Sequence, residues 1–157
     1  MKKQFFDYII KLMKKNKRIF FISIGLGWPR TEELKQFKDR YIQTEASEQT
    51  ALDIAVGLAY EGNVPFVYTI TPFLYRGFET IRTYINHEKL GVNLVGAGHN
   101  DDYSKDDGFS HDATDDKEIF SCFHNITACW PETNEEMADI LKEMVKGEKP
   151  HYINLRR

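Results

Sequence analysis

The chain has 157 residues, a net charge of -3, 41% apolar residues and 29% charged residues, which suits one domain of ordinary size with a real hydrophobic core. That charge gives no reason to expect binding to nucleic acid or to an anionic membrane, and Lys2, Lys3, Lys11, Lys14, Lys15, Lys17 and Arg18 read as the solvated face of the first segment. Cys122 and Cys129 are too few for a disulfide scaffold and lack CxxC spacing, so a cytoplasmic setting is expected; Asp7 and Lys11 interrupt the N-terminal apolar run, leaving no signal-peptide core and no membrane span.

Phe5, Ile9, Leu12 and Met13 recur at helical spacing and predict an amphipathic helix of about three turns. Arg18 to Ile24 is a short continuous apolar run suited to a strand covered on both faces. Gly25-Leu26-Gly27-Trp28-Pro29 reads as a tight turn: a third glycine is absent, and Trp28-Pro29 does not fit a helix-opening phosphate loop. Glu32 to Phe37 suggests a short helical turn, and Tyr41 to Thr44 a short strand.

The stretch from Thr44 to Gly62 is an Ala-rich helix with Ala51, Ile54, Ala55, Leu58 and Ala59 at helical spacing and a stop at Gly62-Asn63. Its first turn holds Glu48, which by itself reads as an anion favoured by the helix dipole, worth about 0.3–1 kcal/mol. Pro65 to Ile70 is the next strand; Phe78, Ile81 and Ile85 mark a helix with Glu79 and Arg82 outward; Gly91 to Gly96 is another strand. A polar loop, Ala97 to Thr114, leads to a brief helix around Asp116 to Phe120 and a strand from Asn125 to Cys129. Thr133 and Glu136 form a capping box for a last helix with Met137, Ile140, Leu141, Met144 and Val145 on one face, stopping at Gly147. His151 to Leu155 is the closing strand. Strands alternating with helices predict an α/β fold, a three-layer α/β/α sandwich around a mostly parallel sheet. Ligands of such sheets sit outside the carboxyl ends of the strands, which puts the turn at Gly25, residues 71–76 and the loop after Gly96 on one rim.

The loop from Gly98 to Asp112 carries His99, Asp101, Asp102, Asp106, Asp107, His111 and Asp112. Loops of this length in compact domains are usually functional or disordered. Three readings compete: a solvated acidic loop, a metal site (without HExxH or EF-hand spacing), and a substrate-facing loop whose histidines act as acid, base or hydrogen-bond donors.

Glu48-Gln49 opening the Ala-rich helix, then Pro65-Phe66, Phe73-Leu74-Tyr75-Arg76-Gly77-Phe78, Ile81-Arg82, His99 and Asp107-Gly108-Phe109-Ser110-His111 together resemble the pyrimidine-binding domain of transketolase-like thiamine diphosphate enzymes. The resemblance runs in order over nearly the whole chain. It implies the Pyr-type thiamine diphosphate-binding fold over residues 1–157, and the following roles. A family glutamate hydrogen-bonds ring nitrogen N1′ of the cofactor's aminopyrimidine and so promotes loss of the thiazolium C2 proton; Glu48 takes that place. Phe73 and Phe78 match the aromatic pocket for the pyrimidine, with plain core as the alternative. Arg76 matches an arginine near the cofactor in the deoxyxylulose-phosphate synthase branch, with a surface ion pair as the alternative. His99, Asp107 and His111 match residues that contact sugar hydroxyls and carbonyls, so His99 and His111 join Glu48 as catalytic candidates. Arg157 aligns with an arginine that binds substrate phosphate, or is simply a frayed terminus.

The departures also carry meaning. Ile24-Gly25-Leu26 stands where transketolases have Ala-Asp-Leu, and the family's phosphate-holding serine falls near Pro29. A phosphorylated ketose is therefore not the expected substrate by default; sugar and sugar phosphate both stay open. No Gly-Asp-Gly with a distant Asn is found, so Mg²⁺ and the cofactor diphosphate are expected on a separate diphosphate-binding subunit, with no metal ligand here and no C-terminal transketolase domain. The expectation is the small subunit of a split enzyme, inactive without its partner and built as a homodimer core within a heterotetramer. It would transfer a two-carbon ketol unit from a ketose to an aldehyde. A 2-oxoacid decarboxylase or dehydrogenase subunit, a non-catalytic binding module on the same fold, and an unrelated flavodoxin-like domain are the rivals.

Overall fold

Apolar alternation in the strands explains the architecture. In the computed structural model, which describes residues 1–25 and 31–157, Ile22, Val67, Leu94 and Tyr152 lie in register across four neighbouring strands and are buried against one helical layer. The next row, Ser23, Tyr68, Val95 and Ile153, points to the opposite layer, as the two-residue period requires. Among the described residues the strands are β1 (Ile19–Ser23), β2 (Tyr41–Gln43), β3 (Val64–Ile70), β4 (Asn93–Ala97), β5 (Thr127–Cys129) and β6 (His151–Leu155). They form one sheet in the order β2-β1-β3-β4-β6-β5, with every pairing parallel. The expected three-layer α/β/α sandwich is present, and the sheet is wholly parallel.

One layer is α1 (Lys2–Lys15) and α7 (Asn134–Met144), which bury Phe5, Phe6, Ile9, Met13, Met137, Leu141 and Met144 against Phe21, Tyr68 and Ile153. Phe5 and Phe6 both contact the rings of Phe21 and Tyr68, and each such ring stabilises the fold by about 1.5–3 kcal/mol through burial. Leu12, expected on the buried stripe, packs only at its margin; Phe6 and Ile10 are buried with Phe5 and Ile9 instead.

The other layer is α3 (Glu48–Tyr60), the chain from Thr71 to His87, and α6 (Asp116–Ser121). The core stripe of α3 is Ala51, Leu52, Ala55 and Val56, while Ile54, Leu58 and Ala59 pack at its edge. Gly77 lets the next segment sit directly on α3, because a Cβ there would overlap the Leu52 side chain. The expected helix through Phe78, Ile81 and Ile85 is composite: 3₁₀ turns over Thr71–Gly77, one α turn, α4 (Phe78–Thr80), and a π-type winding over Ile81–His87. Ile81 and Ile85 are buried, whereas Phe78 is exposed.

Other elements shift by a residue or two. The helical turn near Glu32 is α2 (Thr31–Leu34) followed by a 3₁₀ turn, Lys35–Phe37. β5 starts at Thr127 because the Asn125 N–H is diverted to Asn86 Oδ1 (2.9 Å). At the capping box, Thr133 Oγ1 accepts from the Glu136 N–H (3.1 Å), but Glu136 Oε2 accepts from the N–H of Glu132 rather than from Thr133. The turn read at Gly25-Leu26-Gly27-Trp28-Pro29 lies, beyond Gly25, outside the described residues. No described helix is long and apolar enough to cross a membrane.

Candidate active site

Parallel strands deliver their following segments to one rim. Glu48 is the first residue of α3, which follows β2; Phe73 and Arg76 lie in the 3₁₀ turns after β3; His99 and His111 lie in the loop after β4; Arg157 follows β6. That loop is not structureless. It holds α5 (Ser104–Asp107), a 3₁₀ turn over Phe109–His111, and an antiparallel bridge in which the Ala113 N–H donates to the Asn100 carbonyl (2.9 Å).

Four of the residues expected at the site form one continuous row. Glu48 is 5% exposed, and its Oε1 accepts from Arg76 Nη1 at 2.7 Å. The Arg76 guanidinium lies over the Phe73 ring, 4.6 Å from its centroid. The Phe73 ring meets the His111 imidazole edge-on at 5.0 Å, and His111 Nδ1 shares a hydrogen bond with Ser110 Oγ (3.0 Å). A carboxylate taken from water needs such a partner, since an unpaired buried charge is costly. The Arg76 side chain is 56% exposed, so the cover over Glu48 is a solvent-facing side chain rather than packed core. The ion pair that sequence offered as the alternative role of Arg76 is formed, and its partner is Glu48. Within one chain Glu48 is therefore buried beneath Arg76.

Phe78 stands apart from this row, with its ring 5.1 Å from Phe123. A second group gathers around His99, which is 8% exposed with Nε2 buried and unpaired among the described residues. The His99 N–H donates to Asp102 Oδ2 (2.9 Å). Gly98, at φ +92°, opens the loop flush against Tyr103, where a Cβ would overlap the ring. Lys2 Nζ donates to Tyr103 Oη, and burial, followed by the nearby Arg157 charge, lowers the Lys2 ammonium to about 8. Asp107 is exposed at the end of α5, and Arg157 reaches back to this loop through Asp102 and Asp106.

Sequence reasoning missed Asp116. It is 3% exposed, and its Oδ2 accepts from Trp130 Nε1 (2.7 Å), Tyr152 Oη (2.8 Å) and Asn154 Nδ2 (2.6 Å). This hub ties α6 to the end of β6 just under the rim. The metal reading of the loop gains no support: among the described residues, no group of three or more His, Cys, Asp or Glu side chains is placed to hold an ion.

The sequence matches the family described as "Transketolase, pyrimidine binding domain" over residues 1–157. The chain belongs to that family. A Methanocaldococcus jannaschii protein provisionally described as a transketolase C-terminal section is 25% identical over 160 residues, covering 100% of this chain and 50% of that protein. The 1-deoxy-D-xylulose-5-phosphate synthase of Clostridium perfringens is 30% identical over 142 residues, covering 88% of this chain and 22% of the enzyme. Among solved structures, a split-gene transketolase described as an inactive β4 tetramer superposes with a TM-score of 0.84 at 25% identity, covering 99% of this chain and 51% of that one. The transketolase of Campylobacter jejuni gives a TM-score of 0.84 at 18% identity, which speaks for the fold alone. The chain thus spans from about a quarter to half the length of these relatives. It is a transketolase-like pyrimidine-binding domain of the thiamine diphosphate-dependent class.

Proposed function

We propose that this chain is the pyrimidine-binding subunit of a split transketolase-like enzyme, which transfers a two-carbon ketol unit from a ketose to an aldehyde together with a diphosphate-binding partner. The observation that carries the reading is the row Glu48–Arg76–Phe73–His111 on the carboxyl rim of the sheet. Thiamine diphosphate, when bound, supplies the carbanion chemistry that a protein side chain lacks. These residues fit its pyrimidine half: a buried acceptor carboxylate, and an aromatic ring linked to it through the Arg76 guanidinium.

In this reading Glu48 holds a hydrogen bond to N1′ of the aminopyrimidine, and its burial keeps competing water away from that contact. Phe73 flanks the ring, where offset or edge contacts contribute about 0.5–1.5 kcal/mol beyond burial; Phe78 is the outer aromatic of the same stretch. Arg76 balances the Glu48 charge until the cofactor arrives. His99 and His111 donate to, or take protons from, the hydroxyl and carbonyl oxygens of a polyol substrate, and Asp107 binds hydroxyls at the loop's edge. Mg²⁺ and the diphosphate belong to the partner, in an assembly of two copies of each chain. Carbohydrate metabolism in the cytoplasm is the proposed setting, consistent with Cys122 and Cys129 being free thiols.

The test is reconstitution with a candidate diphosphate-binding chain, thiamine diphosphate and Mg²⁺, followed by a ketol-transfer assay on ketose donors and aldehyde acceptors. Transfer that requires both chains supports the proposal. Tight association with no cofactor-dependent turnover would mark a binding module instead.

A further inference from the structure

Arg157 is where a substrate phosphate would be sought, and within the chain it is already held by several contacts. Its backbone N–H donates to Asp102 Oδ2 (2.9 Å), and its Nη1 donates to the Asp102 carbonyl (3.1 Å) and to Asp106 Oδ2 (3.1 Å). The guanidinium also lies over the Tyr103 ring, 5.1 Å from its centroid. The same Asp102 Oδ2 accepts the His99 N–H at 2.9 Å. Upstream, the Gly98 N–H donates to the Leu155 carbonyl (2.9 Å), so the end of β6 grips the loop on both sides of His99. From the opposite side Lys2 of α1 holds the Tyr103 hydroxyl.

We propose that Asp102 and Arg157 form a clamp that fixes the position of His99, with Arg157 serving as a positioning residue rather than a receptor for substrate phosphate. The exposed pair with Asp106 would by itself be a weak tie. Asp102 Oδ2 accepts the backbone N–H groups of both Arg157 and His99, while the Arg157 side chain holds the Asp102 carbonyl and Asp106, and these contacts converging on one short segment make it a clamp. A phosphate ester seeking this guanidinium would have to displace the Asp102 carbonyl and the Asp106 carboxylate, next to the exposed carboxylate of Asp107. Arg157 therefore favours no phosphorylated substrate over its free sugar. The clamp bears on catalysis only through the role given to His99 above, but its existence is independent of that role.

NMR of the chain by itself tests the clamp, using Arg157→Met, Asp102→Ala, the double variant, and the milder Arg157→Lys and Asp102→Asn. Arg157→Met and Asp102→Ala should each shift the His99 imidazole and amide resonances and speed amide exchange across residues 98–107 on the order of 10-fold. The double variant should add little to either, since both act on one unit. Arg157→Lys should fall in between, because a lysine keeps the charge without the planar fork. Millimolar inorganic phosphate should leave the Arg157 side-chain signal unmoved. If Arg157→Met leaves His99 unshifted, or if phosphate shifts the Arg157 signal saturably, the clamp is overturned. Neither readout depends on ketol transfer, so loss of the enzymatic reading and loss of the clamp remain separable.

Discussion

A carboxylate that is 5% exposed must be compensated, and among the described residues Glu48 is met by the Arg76 guanidinium at 2.7 Å. Replacing Arg76 by Met leaves that carboxylate buried without its partner. Because Arg76 is itself largely in solvent, the loss should be about 1–3 kcal/mol rather than the larger figure for a fully buried pair. Urea unfolding of Arg76→Met, Glu48→Gln and the double variant measures it, and the double variant should lose clearly less than the two singles combined. Additive losses would mean that the pair does not act as one unit. The members of this row were legible in the sequence, because Glu48, Phe73, Arg76 and His111 sit in a recognisable order of motifs. Their contact was not: a helix start, a 3₁₀ turn and a loop meet only once the parallel sheet has stacked their strands. Phe78 shows the reverse: the family resemblance groups it with Phe73, while its ring lies against Phe123.

At the scale of elements, α6 and β6 depend on one oxygen. Asp116 Oδ2 takes donors from Trp130, Tyr152 and Asn154. Asp116→Ala would strand those donors in the interior and should cost about 3 kcal/mol or more, whereas Asp116→Asn, which keeps an acceptor, should cost less. Chemical denaturation checks both; an alanine variant as stable as wild type would show that the hub is not needed. Nothing local betrays this aspartate: Asp115-Asp116 looks like an ordinary acidic helix start, and its partners lie 14, 36 and 38 positions away. The elements with strong periodicity were legible as types and places. Boundaries moved where a tertiary contact took over a backbone group, as Asn86 does for Asn125. The loop after β4 was read as irregular because short helical turns leave too few residues for a periodic signal; its order comes from Gly98, the bridge at Asn100 and Ala113, and the contacts of Arg157.

At the scale of the molecule, the wholly parallel sheet places Glu48, Phe73, Arg76, His99, His111 and Arg157 in the segments that follow the carboxyl ends of its strands. The function proposed above divides the cofactor between two chains, a partner that grips its diphosphate and Glu48 of this chain on its pyrimidine. The most direct measurement is hydrogen–deuterium exchange at C2 of thiamine diphosphate in the reconstituted complex with the diphosphate-binding partner and Mg²⁺. The account predicts fast exchange with the wild-type chain and a fall of about 10²-fold or more with Glu48→Gln. Exchange at the wild-type rate in that variant would contradict it.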